Sequence, residues 1–140
     1  MDEYPWIEIA RSKLGEREVP GPAANPDILE FLRSTTLDGP DKESDETPWC
    51  SAFVNWCVEQ AGYGGTDSAW ARSWLQWGQE ARELVPGTII VLKRGASSGH
   101  VGFFTDENDG EIQLLGGNQG DKVSYAWFSK DRVLGYRAPA

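Results

Sequence analysis

Thr47-Pro48-Trp49-Cys50-Ser51-Ala52-Phe53-Val54-Asn55-Trp56-Cys57 is the stretch on which the reading of this chain turns. Thr47 is a helix cap, and Pro48 suits the first turn, where its missing N–H removes no hydrogen bond. Trp49, Phe53, Trp56, Cys57 and Gln60 then recur every three or four residues until Gly62, which predicts one helix with Cys50 in its first turn. A thiol placed there faces unpaired backbone N–H groups and the positive end of the helix dipole, and both favour the thiolate. The same N–H groups can donate to an oxyanion. Cys57, in mid-helix between Trp56 and Val58, is instead expected to be a small buried apolar residue. Along such a helix the two cysteines lie roughly 10 Å apart, beyond the ~7 Å that a disulfide spans, so they signal no oxidised scaffold.

Working outward, Ile7, Ile9, Ala10 and Leu14 have helical spacing ended by Gly15, and Pro20-Gly21-Pro22 forces an extended connection. Asn25-Pro26-Asp27 starts a second helix, with a cap, a first-turn proline and an acid at the dipole's positive end, and the helix continues through Ile28, Leu29, Phe31 and Leu32. Ser34 to Glu46 is polar loop. Ser68 is placed to cap a fourth helix carrying Trp70, Trp74 and Trp77 on one side, a packing stripe, with Gly78 just past its end. From Thr88 the character changes. Residues 88–92, 100–104 and 111–115 are short β-type runs divided by Gly, Ser, Asn and Asp, and 122–127 and 133–137 are weaker ones. Helices followed by hairpin-linked strands predict an α+β domain, N-terminal helices on a C-terminal antiparallel sheet.

The 140 residues suit one domain spanning 1–140, and seven tryptophans with 39% apolar residues exclude a disordered chain. A formal charge of −9, with no basic cluster, argues against nucleic acid and membrane surfaces as partners, and against electrostatic clinging to anionic walls. Met1 to Trp6 lacks the basic-then-apolar pattern of a signal peptide, and no apolar run is long enough to span a bilayer. The expected protein is a monomer made in the cytoplasm.

The single histidine, His100, opens a β run after Ala96-Ser97-Ser98-Gly99. Cysteine chemistry on an amide needs a base near neutral pH and a third group to orient the ring. A hairpin through Asp106 to Gly110 would return Gly116-Gly117-Asn118-Gln119 to the start of the His100 strand, where an Asn side chain can accept from the imidazole. Composition alone makes Gly-Gly-Asn a turn. Asp106 to Gly110 is expected to be a hairpin turn and not a calcium loop, and one histidine with one available thiol makes no zinc set, so neither metal nor cofactor is expected.

Taken in order, Thr47 to Trp56, Ala69-Trp70-Ala71-Arg72-Ser73-Trp74, Gly99-His100-Val101-Gly102 and Leu115-Gly116-Gly117-Asn118-Gln119 resemble a phage- and prophage-associated branch of the NlpC/P60 and CHAP superfamily, over Trp6 to Pro139. The resemblance implies a papain-like NlpC/P60 fold with Cys50 as nucleophile, His100 as base and then acid, and Asn118 as orienting residue; Gln119 is the neighbouring alternative, because this third position varies among relatives. It also implies cleavage of amide bonds in peptidoglycan, as endopeptidase or amidase, in the periplasm or on the wall after non-classical export or lysis. Trp49, Trp70, Gly117 and Gln119 are the candidate substrate-binding residues, although most tryptophans in so small a domain serve packing. Asp45 and Glu46 are accounted for by the helix dipole. The expected partner is peptidoglycan peptide, with an immunity or inhibitor protein as a second candidate, whether the chain is an endolysin or an antibacterial effector. Two other readings share the same residues: a wall-binding or phage structural module with a vestigial site, and an acyltransferase or deamidase acting on protein.

Overall fold

In a computed structural model the chain is described over residues 3–17, 25–35, 49–68, 70–94, 99–120 and 122–139. Three helices come first: α1 (Trp6–Arg11), α2 (Pro26–Arg33) and α3 (Cys50–Gln60). Six strands follow: β1 (Gln79–Glu80), β2 (Ile89–Lys93), β3 (Gly99–Glu107), β4 (Glu111–Gly116), β5 (Ser124–Ser129) and β6 (Val133–Ala138). They form one antiparallel sheet in the order β1-β6-β2-β3-β4-β5. The α+β class with an antiparallel sheet is as the residue pattern predicts. The two-residue β1, exposed and without apolar alternation, left no such pattern. Thr47, Pro48, Asp45, Glu46, Pro20-Gly21-Pro22 and Ala96 to Ser98 lie outside the described residues.

α2 starts as its sequence dictates, with the Asn25 side chain accepting from the Asp27 amide at 2.8 Å. α3 is buried on nearly every side, through Cys50, Ser51, Ala52, Phe53, Val54, Asn55, Cys57 and Val58, so it is the central element and not a surface helix with one apolar stripe. It packs with α1, α2 and the β3 residues Val101 and Phe103 in the larger core. On the other face of the sheet Ile90, Leu92, Phe104, Ile112 and Leu114 form a smaller one. The β3–β4 hairpin closes at Asn108, whose side chain accepts from the amides of Gly110 and Glu111.

The expected fourth helix is a 3-10 helix, Ala71–Gln76. Ser68 does accept from the Trp70 amide at 3.0 Å. With about three residues per turn, however, positions 71, 74 and 77 align and position 70 does not. Ala71 and Trp74 are accordingly buried and Trp77 partly so, while Trp70 is 56% exposed.

Two buried polar side chains on α3 tie the following loop to the helix. Asn55 donates to the Ser34 carbonyl at 2.9 Å and to Ser34 Oγ at 3.0 Å, and accepts from the Asp67 amide at 2.9 Å. Ser51 donates to the Ser68 carbonyl at 2.7 Å and accepts from Trp74 Nε1 at 2.9 Å. Removing a buried partner leaves the others unsatisfied, so Asn55→Ala is expected to lower stability by about 1–3 kcal/mol, read as a fall in thermal midpoint, whereas Gly110→Ala on the open hairpin turn stays within about 0.5 kcal/mol of wild type.

Candidate active site

The site is assembled where the end of β4, the start of β3 and the start of α3 meet. After β4 the chain turns through Gly116 and Gly117, and Asn118 takes a left-handed conformation, φ 59°. That turn swings Gln119 back beneath the sheet, where it is buried. Its amide nitrogen donates to the carbonyls of Leu114 at 3.2 Å and Ser124 at 2.7 Å. Both are acceptors only, so the amide has one orientation, with Oε1 directed at His100 Nε2, 2.8 Å away. Oε1 can only accept, so the ring carries its proton on Nε2 and leaves a bare lone pair on Nδ1.

Both glycines are required by contact. A Cβ at Gly116 would lie 2.5 Å from Gln119 Oε1, and one at Gly117 would lie 2.6 Å from the Trp49 ring and 2.8 Å from Phe53 Cβ.

His100 faces the smaller core with its cross-strand partner Leu92, and its ring packs on Phe128 at a centroid distance of 5.3 Å. Arg132 lies over the far side of Phe128, 5.3 Å from its centroid. The imidazole is wholly buried, and Nδ1 has no hydrogen-bond partner. The Cys50 thiol, buried in the larger core, lies against the backbone amide of Val101, the residue after His100, and against the amides at the start of its own helix. Thiol and imidazole thus converge on the His100–Val101 peptide unit. Among the described residues, α3 has no side-chain cap bond and no acid in its first turn.

Burial sets the charge state. It pushes the Cys50 thiol above its ordinary 9.0, outweighing the Val101 amide, the positive Arg94 and the helix-start amides. Burial also lowers His100 to about 4, against the Gln119 hydrogen bond and with the help of Arg94 and Arg132. The thiolate expected from the helix start is therefore not the resting form: the favouring amides are present, and desolvation exceeds them. Cys57 is buried, its thiol raised well above 9.0 by desolvation, as expected of a core residue.

Of the residues singled out from sequence, His100 and Gln119 are in direct contact, and Cys50 meets the backbone of Val101, the residue after His100. The ring contact expected of Asn118 is made by Gln119, because the left-handed turn at Asn118 delivers the next side chain to the imidazole. Trp49 is fully buried against Phe31, at a ring distance of 6.1 Å, and so lines no cleft. Gly117 sits under that Trp49 ring and is likewise buried. Trp70 is exposed at the head of the 3-10 helix.

The CHAP domain family matches residues 42–118, more than half of the chain and the span that carries both Cys50 and His100. The chain belongs to the CHAP family. The family is one of peptidoglycan-related amidases and peptidases, hydrolases in general. Among solved structures, the chain is similar to a protein described as similar to a lipoprotein of the NLP/P60 family, from Staphylococcus aureus subsp. aureus Mu50. The identity is 16% and the TM-score 0.48, over 90% of this chain but only 44% of that one. A search of curated protein sequences finds no match.

Arg94, Phe128 and Arg132 were not legible as parts of this CHAP site. Lys93-Arg94 at a strand end looks like a solvated charge pair, and Phe128 and Arg132 lie 28 and 32 positions beyond the histidine they shield.

The lone histidine makes the electrostatics directly measurable. In nitrogen-15 NMR the imidazole is expected as the Nε2–H tautomer, neutral until the pH approaches about 4. Because the ring protonates near 6.5 when unfolded and near 4 when folded, its contribution is undiminished above pH 6.5 and is lost as pH falls from 6.5 to about 4. The total loss is about 3 kcal/mol, and a His100→Asn variant should show a correspondingly flatter fall in urea-unfolding free energy over that window.

Proposed function

We propose that this protein hydrolyses amide bonds in peptidoglycan stem peptides, using Cys50 as nucleophile, His100 as general base and acid, and Gln119 as the residue that holds the ring. The observation that carries this reading is the bare, unpartnered Nδ1 of a tautomer-locked imidazole on the residue whose neighbour, Val101, meets the thiol at the helix start. Membership of the CHAP family supports the substrate class.

The chemistry starts from a neutral pair. As a substrate carbonyl reaches the sulfur, the thiol proton passes to Nδ1 and the sulfur bonds to the carbonyl carbon. On this reading backbone N–H groups at the start of α3, among them those of Cys50 and Ser51 beside the sulfur, donate to the oxyanion. Gln119 Oε1 accepts from Nε2–H throughout and steadies the imidazolium. The proton on Nδ1 goes to the leaving amine, the C–N bond breaks and a thioester remains. Water then gives a proton to Nδ1 and its oxygen to the thioester carbon, releasing the carboxylate and restoring the thiol.

On this reading the enzyme acts in the periplasm or on the wall, which it reaches by non-classical export or lysis. Its choice between stem-peptide bonds and the glycan–peptide amide is read from the products.

Incubation with peptidoglycan sacculi and mass analysis of the soluble fragments is the test. Wild type and Cys57→Ala should release fragments, Cys50→Ala none, and His100→Ala roughly 10²–10⁴-fold less. Folded wild type that releases nothing from several wall types defeats the hydrolase reading in favour of a binding module or a protein-modifying enzyme. Between the two neighbouring polar residues, Gln119→Ala should lower kcat strongly, whereas Asn118→Gly, which keeps the left-handed turn, should leave it within a few-fold. Because the base must be unprotonated, the acid limb of the wild-type rate profile should rise near pH 4 and not near 6.5.

A further inference from the structure

We propose that the open groove formed by Gly65, Thr66, Trp70, Ser73, Gln76 and Trp77 binds a neutral N-acetylhexosamine ring of the glycan strand. The groove has a volume of about 460 Å³, within the range of small-molecule sites. Neither Cys50 nor His100 lines it, yet it hangs from the residue next to the nucleophile. Ser51 holds the Ser68 carbonyl and the Trp74 indole, which fixes the two walls of the groove on either side of Trp70.

Its chemistry selects the ligand. None of the lining side chains is ionisable, in a chain of net charge −9, so the groove offers charged peptide ends and phosphates no partner. Two indoles flank it. Trp70 is 56% exposed, and Trp77 is held rigid by donating to the Gly64 carbonyl at 2.8 Å and packing on Trp74 at 5.3 Å. Between them are a hydroxyl pair, Ser73 to Thr66 at 2.8 Å, and the exposed Gln76 amide, which makes no hydrogen bond among the described residues. The floor is Gly65, where a Cβ would lie 2.0 Å from Asn55 Oδ1, so no side chain can rise there without displacing the Asn55 bonds. An N-acetylated pyranose presents an apolar C–H face to an indole, and a rim of hydroxyls and one amide to Ser73, Thr66 and Gln76. Flat aromatic surface with neutral hydrogen-bonding groups matches that ring and not an extended acidic peptide.

The inference rests on the wall-hydrolase reading for the source of the sugar, but its test does not require turnover. In Cys50→Ala protein, titration with N-acetylglucosamine tetramer should give saturable shifts of the Trp70 and Trp77 indole N–H signals. Trp70→Ala or Gln76→Ala should weaken binding at least tenfold, while Trp127→Ala, on β5 and outside the groove, should leave it unchanged. Absence of saturable shifts, an affinity unmoved by Trp70→Ala, or equal shifts from a sugar-free stem peptide would overturn the proposal. Cys50-dependent release of sacculus fragments without tetramer binding would defeat this site alone, and tetramer binding without release would defeat the hydrolase reading alone.

Discussion

The carbonyls of Leu114 and Ser124 decide which way the Gln119 amide faces, and the chemistry of the site follows from that orientation. A side-chain amide has one accepting and one donating end. With both donors taken up by backbone, the oxygen is left for His100, and the imidazole has a single tautomer compatible with it. That leaves the ring lone pair at Nδ1, with no charged residue holding the imidazole. A carboxylate at position 119 would face the same two carbonyls with no proton to give them, which is a physical reason for an amide here. The turn supports the arrangement from both ends: the Gln119 amide donates to the Lys122 carbonyl, and Ser124 Oγ returns a bond to the Gln119 carbonyl.

Burial then sets the cost of using the pair. A separated thiolate and imidazolium would each be desolvated, His100 completely so. The neutral pair is favoured until a substrate carbonyl gives the forming charge somewhere to go. Arg94 eases loss of the thiol proton, and Arg94 and Arg132 together oppose the imidazolium. The second effect biases the resting site toward neutral imidazole. A buried neutral thiol is also less open to oxidation than a standing thiolate.

The fold was largely legible because its signals are local. Asn25-Pro26-Asp27, the helical recurrence in 49–60 and the β-type runs at 89, 100 and 111 each encode an element in consecutive residues. Three things escaped that logic. The segment 71–76 wound with three residues per turn because Ser51 and the sheet select Ala71 and Trp74 for burial, a tertiary choice that cap and Gly stop do not reveal. The assignment of the third position between Asn118 and Gln119 depended on a backbone φ of 59°, which reverses the side-chain sequence of the turn and has no compositional signature beyond the tolerance of Asn for that region. The depression of His100 depends on Phe128 and Arg132, neighbours only across the sheet.

α3 connects these features because its two buried polar residues, Ser51 and Asn55, are both used. Cys50 brings its thiol to β3, Ser51 reaches the opposite side to hold Ser68 and Trp74, and Asn55, one turn further on, holds Asp67 and the end of α2. Site and groove are therefore two consequences of one helix. The segment that leads into the groove and the residue that bears the thiol are thus joined by the two hydrogen bonds of Ser51, one to the Ser68 carbonyl and one from the Trp74 indole, so that Ser51→Ala would loosen the groove side of α3 without touching the sheet side.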